Sequence, residues 1–260
     1  MKKHPVLWFY ILAFLFSWLG WVPQALQARG LLTFDHPLLT ILFALLGGGG
    51  PTFAAVIMAA IVDGKDGPGR LFAALFKLRA RWPWYLVAFL LMPFLAALAL
   101  VAGTLFGQPF PDFRGFAWFS LLPIFIGMLI SNVWEEIGWR GFALPHLQAR
   151  YRDLVIVFVM GLLWELWHLP LYLNPNNPMS GLNPLLFVLF SLALTVLYTW
   201  LYNHTQGSLF FVTVFHAMSN TVAAVLLDRG VFVSSYPAVV ALTAIVAAGV
   251  LLYFRRTRSL

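Results

Sequence analysis

The chain contains no cysteine and, among its 260 residues, only three glutamates. Without thiols there are no disulfides, thiolate nucleophiles, thiolate metal ligands or cysteine-linked lipid anchors. Charge of either sign is scarce. Asp, Glu, Lys and Arg make up 10% of the residues, against about 25% in a soluble domain. Neither an HExxH zinc signature nor its inverted form occurs, and no Ser–His–Asp pattern stands out. What remains is apolar: 62% of residues are hydrophobic and mean hydropathy is +0.87. That balance reads as an all-α polytopic membrane protein. The net charge of +7 would suit nucleic acid. However, the basic residues lie in short segments between apolar runs, which is the pattern of membrane topology, and no nucleic-acid partner is expected.

About 20 apolar residues cross the hydrocarbon core as a helix. On that ruler eight spans are expected, near 6–26, 38–62, 84–106, 116–134, 154–173, 184–203, 208–228 and 237–254. The first follows "MKKHP" and reads as a span, not a cleaved signal peptide. The fourth can continue as helix into the glutamates that follow it. "GGGGP" at 47–51 is expected to break or kink the second span, and Pro93 and Pro123 to kink others. With the amino terminus inside, thirteen Lys and Arg, Arg140 among them, fall on the cytoplasmic side. Arg29, Arg114 and Arg229 fall outside. Both termini are therefore expected in the cytoplasm. Residues 67–82 mix basic and apolar side chains and read as an amphipathic helix on the bilayer surface. The whole chain, 1–260, reads as one transmembrane domain enclosing an intramembrane polar cavity.

Polar side chains inside a bilayer are costly, and each marks a candidate site. Three segments concentrate them: "EEIGWR" at 135–140, "WELWH" at 164–168 and "HAMSN" at 216–220. Glu136 and Arg140 are four apart with the acid first, the favourable order for an ion pair on one helix face. Glu135 is rotated about 100° from Glu136, and with Gly138 three residues on it is expected to face open space. One glutamate is then neutralised and the other is free for proton transfer. The bland reading is that both reach the membrane interface and cap the span. His168 lies one turn after Trp164 and two residues before Pro170, which should end or bend that helix. Glu165 either orients the imidazole or reaches the headgroups. His216 and Asn220, four apart on one face, either bridge two helices or point into a shared cavity as metal ligands or oxyanion donors.

Taken in order, "EEIGWRGFALPHLQ", "WELWH" and "HAMSN" resemble the EExxxR, aromatic-x-x-x-His and His-x-x-x-Asn motifs of the CAAX-processing and bacteriocin-processing (CPBP or ABI) membrane proteases. The resemblance covers about residues 115–235. "GGGGPTFAA" followed by a basic amphipathic stretch is similar to the bacterial branch. The resemblance implies an eight-helix intramembrane endopeptidase in a bacterial inner membrane, acting on a peptide or protein that is membrane-bound or lipidated. By motif position Glu135 would activate water, with His168 beside it. His216 and Asn220 would polarise the scissile carbonyl, and Glu136, Arg140 and Trp164 would support the motif. Glu165 departs from the small or neutral residue expected there. A zinc site formed by Glu135, His168 and His216 and a metal-free glutamate mechanism both fit these residues. The site is expected to open toward the cytoplasmic face. A non-catalytic immunity or partner-binding protein, and a proton-coupled transporter using the glutamates as a relay, are the competing readings. No inverted-repeat halves are visible to favour the transporter.

Overall fold

The computed structural model describes residues 1–257, with the side chains of 254–257 set aside. Every regular element among them is helical: α1 Pro5–Ala28, α2 Pro37–Asp63, α3 Gly67–Ala73, α4 Trp82–Leu105, α5 Leu121–Gly138, α6 Leu144–Gln148, α7 Asp153–Trp167, α8 Leu169–Tyr172, α9 Pro184–His204, α10 Leu209–Asp228 and α11 Phe232–Thr257. Seven helices among the described residues are long and apolar enough to cross a membrane. One of them, Trp118–Gln148, runs for 31 residues through α5 and α6, so the fourth span does continue through the glutamate motif. The chain is a polytopic, all-α membrane protein.

The fifth expected span, 154–173, is the one that differs. It forms a 15-residue helix, α7, which at 1.5 Å per residue is about 22 Å long and short of a hydrocarbon core of about 30 Å. Pro170 explains the break, because a proline disfavours helical geometry in the residue before it and lacks an N–H for the ladder. The chain turns at His168 and resumes as the one-turn helix α8.

The "GGGGP" stretch also does something other than expected. Helix α2 continues through it with Pro51 inside, and the glycines serve close packing. A Cβ on Gly50 would lie 2.8 Å from the Ala13 carbonyl oxygen of α1, and one on Gly20 of α1 would lie 2.6 Å from the Gly47 nitrogen. Pro51 in turn sits against Gly138 of α5, where a Cβ would come within 2.6 Å of the Pro51 backbone. Small residues let helices approach closely where the bilayer supplies no hydrophobic drive between them. Pro93 lies inside α4, whereas Pro123 occupies the first turn of α5, where a missing N–H costs no helical bond.

Contacts between connecting segments define two ends of the bundle. At one end Lys77 Nζ donates to the Gln206 carbonyl (3.1 Å), Ser208 Oγ to the Lys77 carbonyl (2.6 Å) and Gln148 Nε2 to Asn203 Oδ1 (3.2 Å). At the other, Arg29 Nε donates to the Leu173 carbonyl (2.6 Å) and Arg229 Nη1 to the Asp112 carbonyl (3.2 Å). The first end carries Lys65, Arg70, Lys77, Arg79, Arg81, Arg150 and Arg152 and is here called the basic end. Arg140 does not belong to it, contrary to the sequence reading: the side chain is 2% exposed, inside the bundle. The expected surface helix at 67–82 is helical only to Phe76, as α3 and a short 3₁₀ turn. It buries Leu71 and leaves Arg70, Phe72 and Phe76 exposed.

Gly138→Ala is expected to cost about 1–3 kcal/mol through overpacking against Pro51, read as a fall in thermal stability in detergent. Gly127→Ala, which meets open space, should leave stability unchanged or slightly raised.

Candidate functional site

Helix α5 places Asn132, Glu135 and Glu136 within one turn, so the first faces both glutamates at three- and four-residue spacing. Trp139–Ala143 then forms a π-helical turn, a local widening of a kind that recurs at functional sites. Within it Arg140 returns to Glu136, with Nη1 3.0 Å from Oε1 and both side chains buried. The guanidinium lies over the rings of Tyr198 (3.8 Å) and Trp164 (5.0 Å), so the charge is enclosed by a carboxylate and two aromatic faces.

Glu136 has a second partner. His216 Nδ1 lies 2.8 Å from the same Oε1, which joins α10 to α5 through one carboxylate oxygen. Oε2 of Glu136 is buried with no hydrogen-bond partner among the described residues. His168 is held differently. The break after α7 turns the His168 N–H to the Glu165 carbonyl (3.0 Å), while the imidazole Nδ1 donates to the Trp164 carbonyl (2.8 Å). A backbone carbonyl can only accept, so Nδ1 carries the proton and Nε2 is the ring nitrogen left for the cavity. The same holds for His216 against the Glu136 carboxylate.

Glu135 Oε2 accepts from Trp164 Nε1 at 3.1 Å. The open space expected beside it at Gly138 is absent, because Pro51 fills that position; its freedom comes from the opposite direction. A cavity of about 580 Å³ is lined by Glu135, Asn132, Trp164, His168, His216, Ser219 and Asn220, among others. Glu136 and Arg140 are not among its lining residues, so the division between a free and a paired glutamate holds in three dimensions. Asn220 Nδ2 donates to Asn132 Oδ1 at 3.0 Å, which leaves its second amide proton for the cavity. Glu165 takes neither role expected of it: Ser191 Oγ of α9 donates to its Oε2 at 3.3 Å, and His168 is oriented by the backbone.

Three contributors were missed from the sequence. Asn132 was legible in principle, as a strongly polar residue inside an apolar span. Tyr198 and Trp21, whose ring stacks 6.2 Å from His168, carry no such signal among the chain's many aromatics. No three His, Asp or Glu side chains among the described residues gather closely enough to hold a metal ion.

This geometry coincides with a family match. The family described as Type II CAAX prenyl endopeptidase Rce1-like matches residues 116–222. Over those residues the chain is similar to that family. Over 147 residues it is also 31% identical to CAAX prenyl protease 2 of Methanococcus maripaludis, a match that covers 52% of this chain. The chain spans about half of that relative's length, 53%. The matched segment contains every cavity-lining polar group named above, from Asn132 to Asn220, and the three motifs that carry the resemblance fall inside it. Helices α1 and α2 lie outside the matched segment yet enclose it: Phe9 and Tyr10 pack on Trp139 (5.4 and 5.6 Å), and Trp21 on Trp167 (4.3 Å).

The two adjacent glutamates should respond oppositely to the same isosteric change. Glu136→Gln leaves Arg140 buried without its counter-charge and is expected to cost about 3–5 kcal/mol. Glu135→Gln removes a carboxylate that has no cation beside it and should leave thermal stability in detergent equal or higher. Equal losses at both positions would contradict the division.

Proposed function

We propose that this protein is an integral membrane endopeptidase in which Glu135 activates water for attack on a peptide bond. The observation that carries the reading is the convergence of Glu135, His168, His216 and Asn220 on one cavity within an Rce1-like core. Amide hydrolysis requires a base for water, donors for the oxyanion and an acid for the departing amine.

Glu135 and the unprotonated Nε2 of His168 hold the water between them as two acceptors. As the water oxygen bonds to the carbonyl carbon, its proton passes to Glu135. The oxyanion that forms accepts from the free amide proton of Asn220. His216, held by Glu136 through Nδ1, lines the same cavity beside the Asn220 amide. Collapse breaks the C–N bond, and Glu135 returns the proton to the nitrogen, leaving a carboxyl and an amine terminus. Glu136, Arg140 and Trp164 position these groups. Each of these steps is complete without a metal.

Positive residues concentrate at cytoplasmic ends of spans, so we place the basic end, and with it both termini, in the cytoplasm of a bacterial cell. The substrate is a peptide or protein held at the membrane, lipidated substrates included, as the name of the Methanococcus relative suggests. On this reading cleavage takes place near the cytoplasmic face.

In purified protein Glu135→Gln and His168→Ala are each expected to lower cleavage by about 10²–10⁴-fold, with the size-exclusion profile of the folded protein retained. Full activity in both variants would overturn the proposal. Treatment with a zinc chelator should leave the rate unchanged; loss restored by added zinc would instead assign the water to a metal.

A further inference from the structure

The mechanism leaves one carboxylate inside the bundle without a task. Glu165 of α7 is half-buried, three residues before His168, and its Oε2 accepts from Ser191 Oγ of α9 at 3.3 Å. Tyr172 of α8 and Tyr236 of α11 stand beside the same carboxylate. Among the described residues Glu165 forms no ion pair. Arg29, the cation whose Nε donates to the Leu173 carbonyl next to Tyr172, is directed to the backbone instead. A carboxylate in an apolar bundle is costly without a counter-charge, and neutral hydroxyls offset less of that cost than a cation does.

The hydroxyls around Glu165 are equally unengaged. Tyr236 is 5% exposed and lines the cavity. Its hydroxyl, like that of Tyr172, is buried with no hydrogen-bond partner among the described residues. The two tyrosines belong to an aromatic box. The Phe187 ring lies 5.6 Å from Tyr172 and 6.4 Å from Tyr236, and Phe190 lies 5.7 Å from Tyr236. Phe187, Phe190, Ser191 and Tyr236 all line the cavity. Phe187 also meets the His168 ring edge to face at 5.8 Å. One ring therefore separates the box from the imidazole that faces the hydrolytic water.

A hydrogen bond that only joined α7 to α9 would be served as well by a neutral side chain. It would also leave the negative charge unbalanced and both tyrosine hydroxyls orphaned. A cation answers all three features at once. Aromatic faces attract it, hydroxyl oxygens accept its N–H groups, and the carboxylate balances its charge.

We infer that Glu165, Tyr236 and the rings of Phe187 and Phe190 form a subsite for a basic side chain, lysine or arginine, of the peptide held in the cavity. This rests on the endopeptidase reading for the word peptide and concerns recognition alone. The ammonium or guanidinium lies against the rings and donates to the Tyr236 hydroxyl, with Glu165 as its counter-charge. Glu165 stands where the motif resemblance implies a small or neutral residue, so the preference belongs to this chain's own sequence.

The test uses purified full-length protein carrying Glu135→Gln, which removes the other carboxylate of the cavity. Two probes of one shape, n-butylammonium and 1-butanol, are titrated, and apparent affinities are read from the shift in thermal unfolding in detergent. Butylammonium is expected to bind about tenfold tighter than butanol or more. Adding Glu165→Gln should abolish that preference and leave butanol binding in place, which also shows that the site is folded. Adding Tyr236→Phe instead keeps the ring and the charge, and should weaken butylammonium about threefold with butanol unchanged. Equal binding of the two probes before Glu165 is altered would overturn the subsite. So would a preference that survives Glu165→Gln or is untouched by Tyr236→Phe. With Glu135 restored, cleavage of a random peptide mixture should select Lys or Arg at one fixed position from the cut, and Glu165→Gln should lose that selection. Failure of the endopeptidase reading would show separately, as full cleavage by Glu135→Gln with the probe pattern intact.

Discussion

One carboxylate oxygen organises this molecule. Oε1 of Glu136 accepts from Arg140 of its own helix and from His216 of α10, 80 residues away in sequence. Buried ions are tolerated only when partners replace the water they lose, and breaking such a pair leaves a charge stranded in a medium that cannot screen it. Here Arg140 is further enclosed by Tyr198 and Trp164. The arrangement joins α5, α7, α9 and α10 at one level of the bundle. It also fixes which ring nitrogen of His216 faces the cavity, so the element that stabilises the interior sets the chemistry of its surface.

A second constraint comes from a helix that stops. Pro170 ends α7 before it can span the bilayer, and the turn puts His168 at a helix terminus inside the bundle. A carbonyl released at such a terminus needs a donor, and the His168 imidazole supplies it to Trp164. The indole of that same Trp164 donates to Glu135. Trp164 therefore couples the free glutamate to the first histidine, and Arg140 packs against its ring. The aromatic residue of the second motif is a structural relay between both halves of the site.

Much of this was legible in the chain. Six of the eight apolar runs predicted their helices to within about five residues, while the fourth runs on to Gln148 and the fifth stops at Trp167; the four-residue spacing of Glu136 and Arg140 predicted their pairing. The rarity of glutamate and histidine singled out the site groups, because a bilayer penalises each polar side chain that lacks a use. Other readings failed for physical reasons. "GGGGP" suggested a break, yet glycine also permits close approach, and the neighbour that decides between these is another helix. Gly138 suggested space beside Glu135, but Pro51 of α2 occupies it. Glu165 turned toward Ser191 of α9, a partner with no fixed distance from it along the chain.

By itself, then, the sequence determined the solvent, the helical class and the identities of the polar groups, since these follow from composition, hydropathy and spacing within single helices. Tertiary structure alone decided that His216 answers to Glu136 and not to Glu135. It alone made Asn132 the partner of Asn220. Those are contacts between helices, set by which faces meet, and local periodicity says which face is polar without saying what stands across from it.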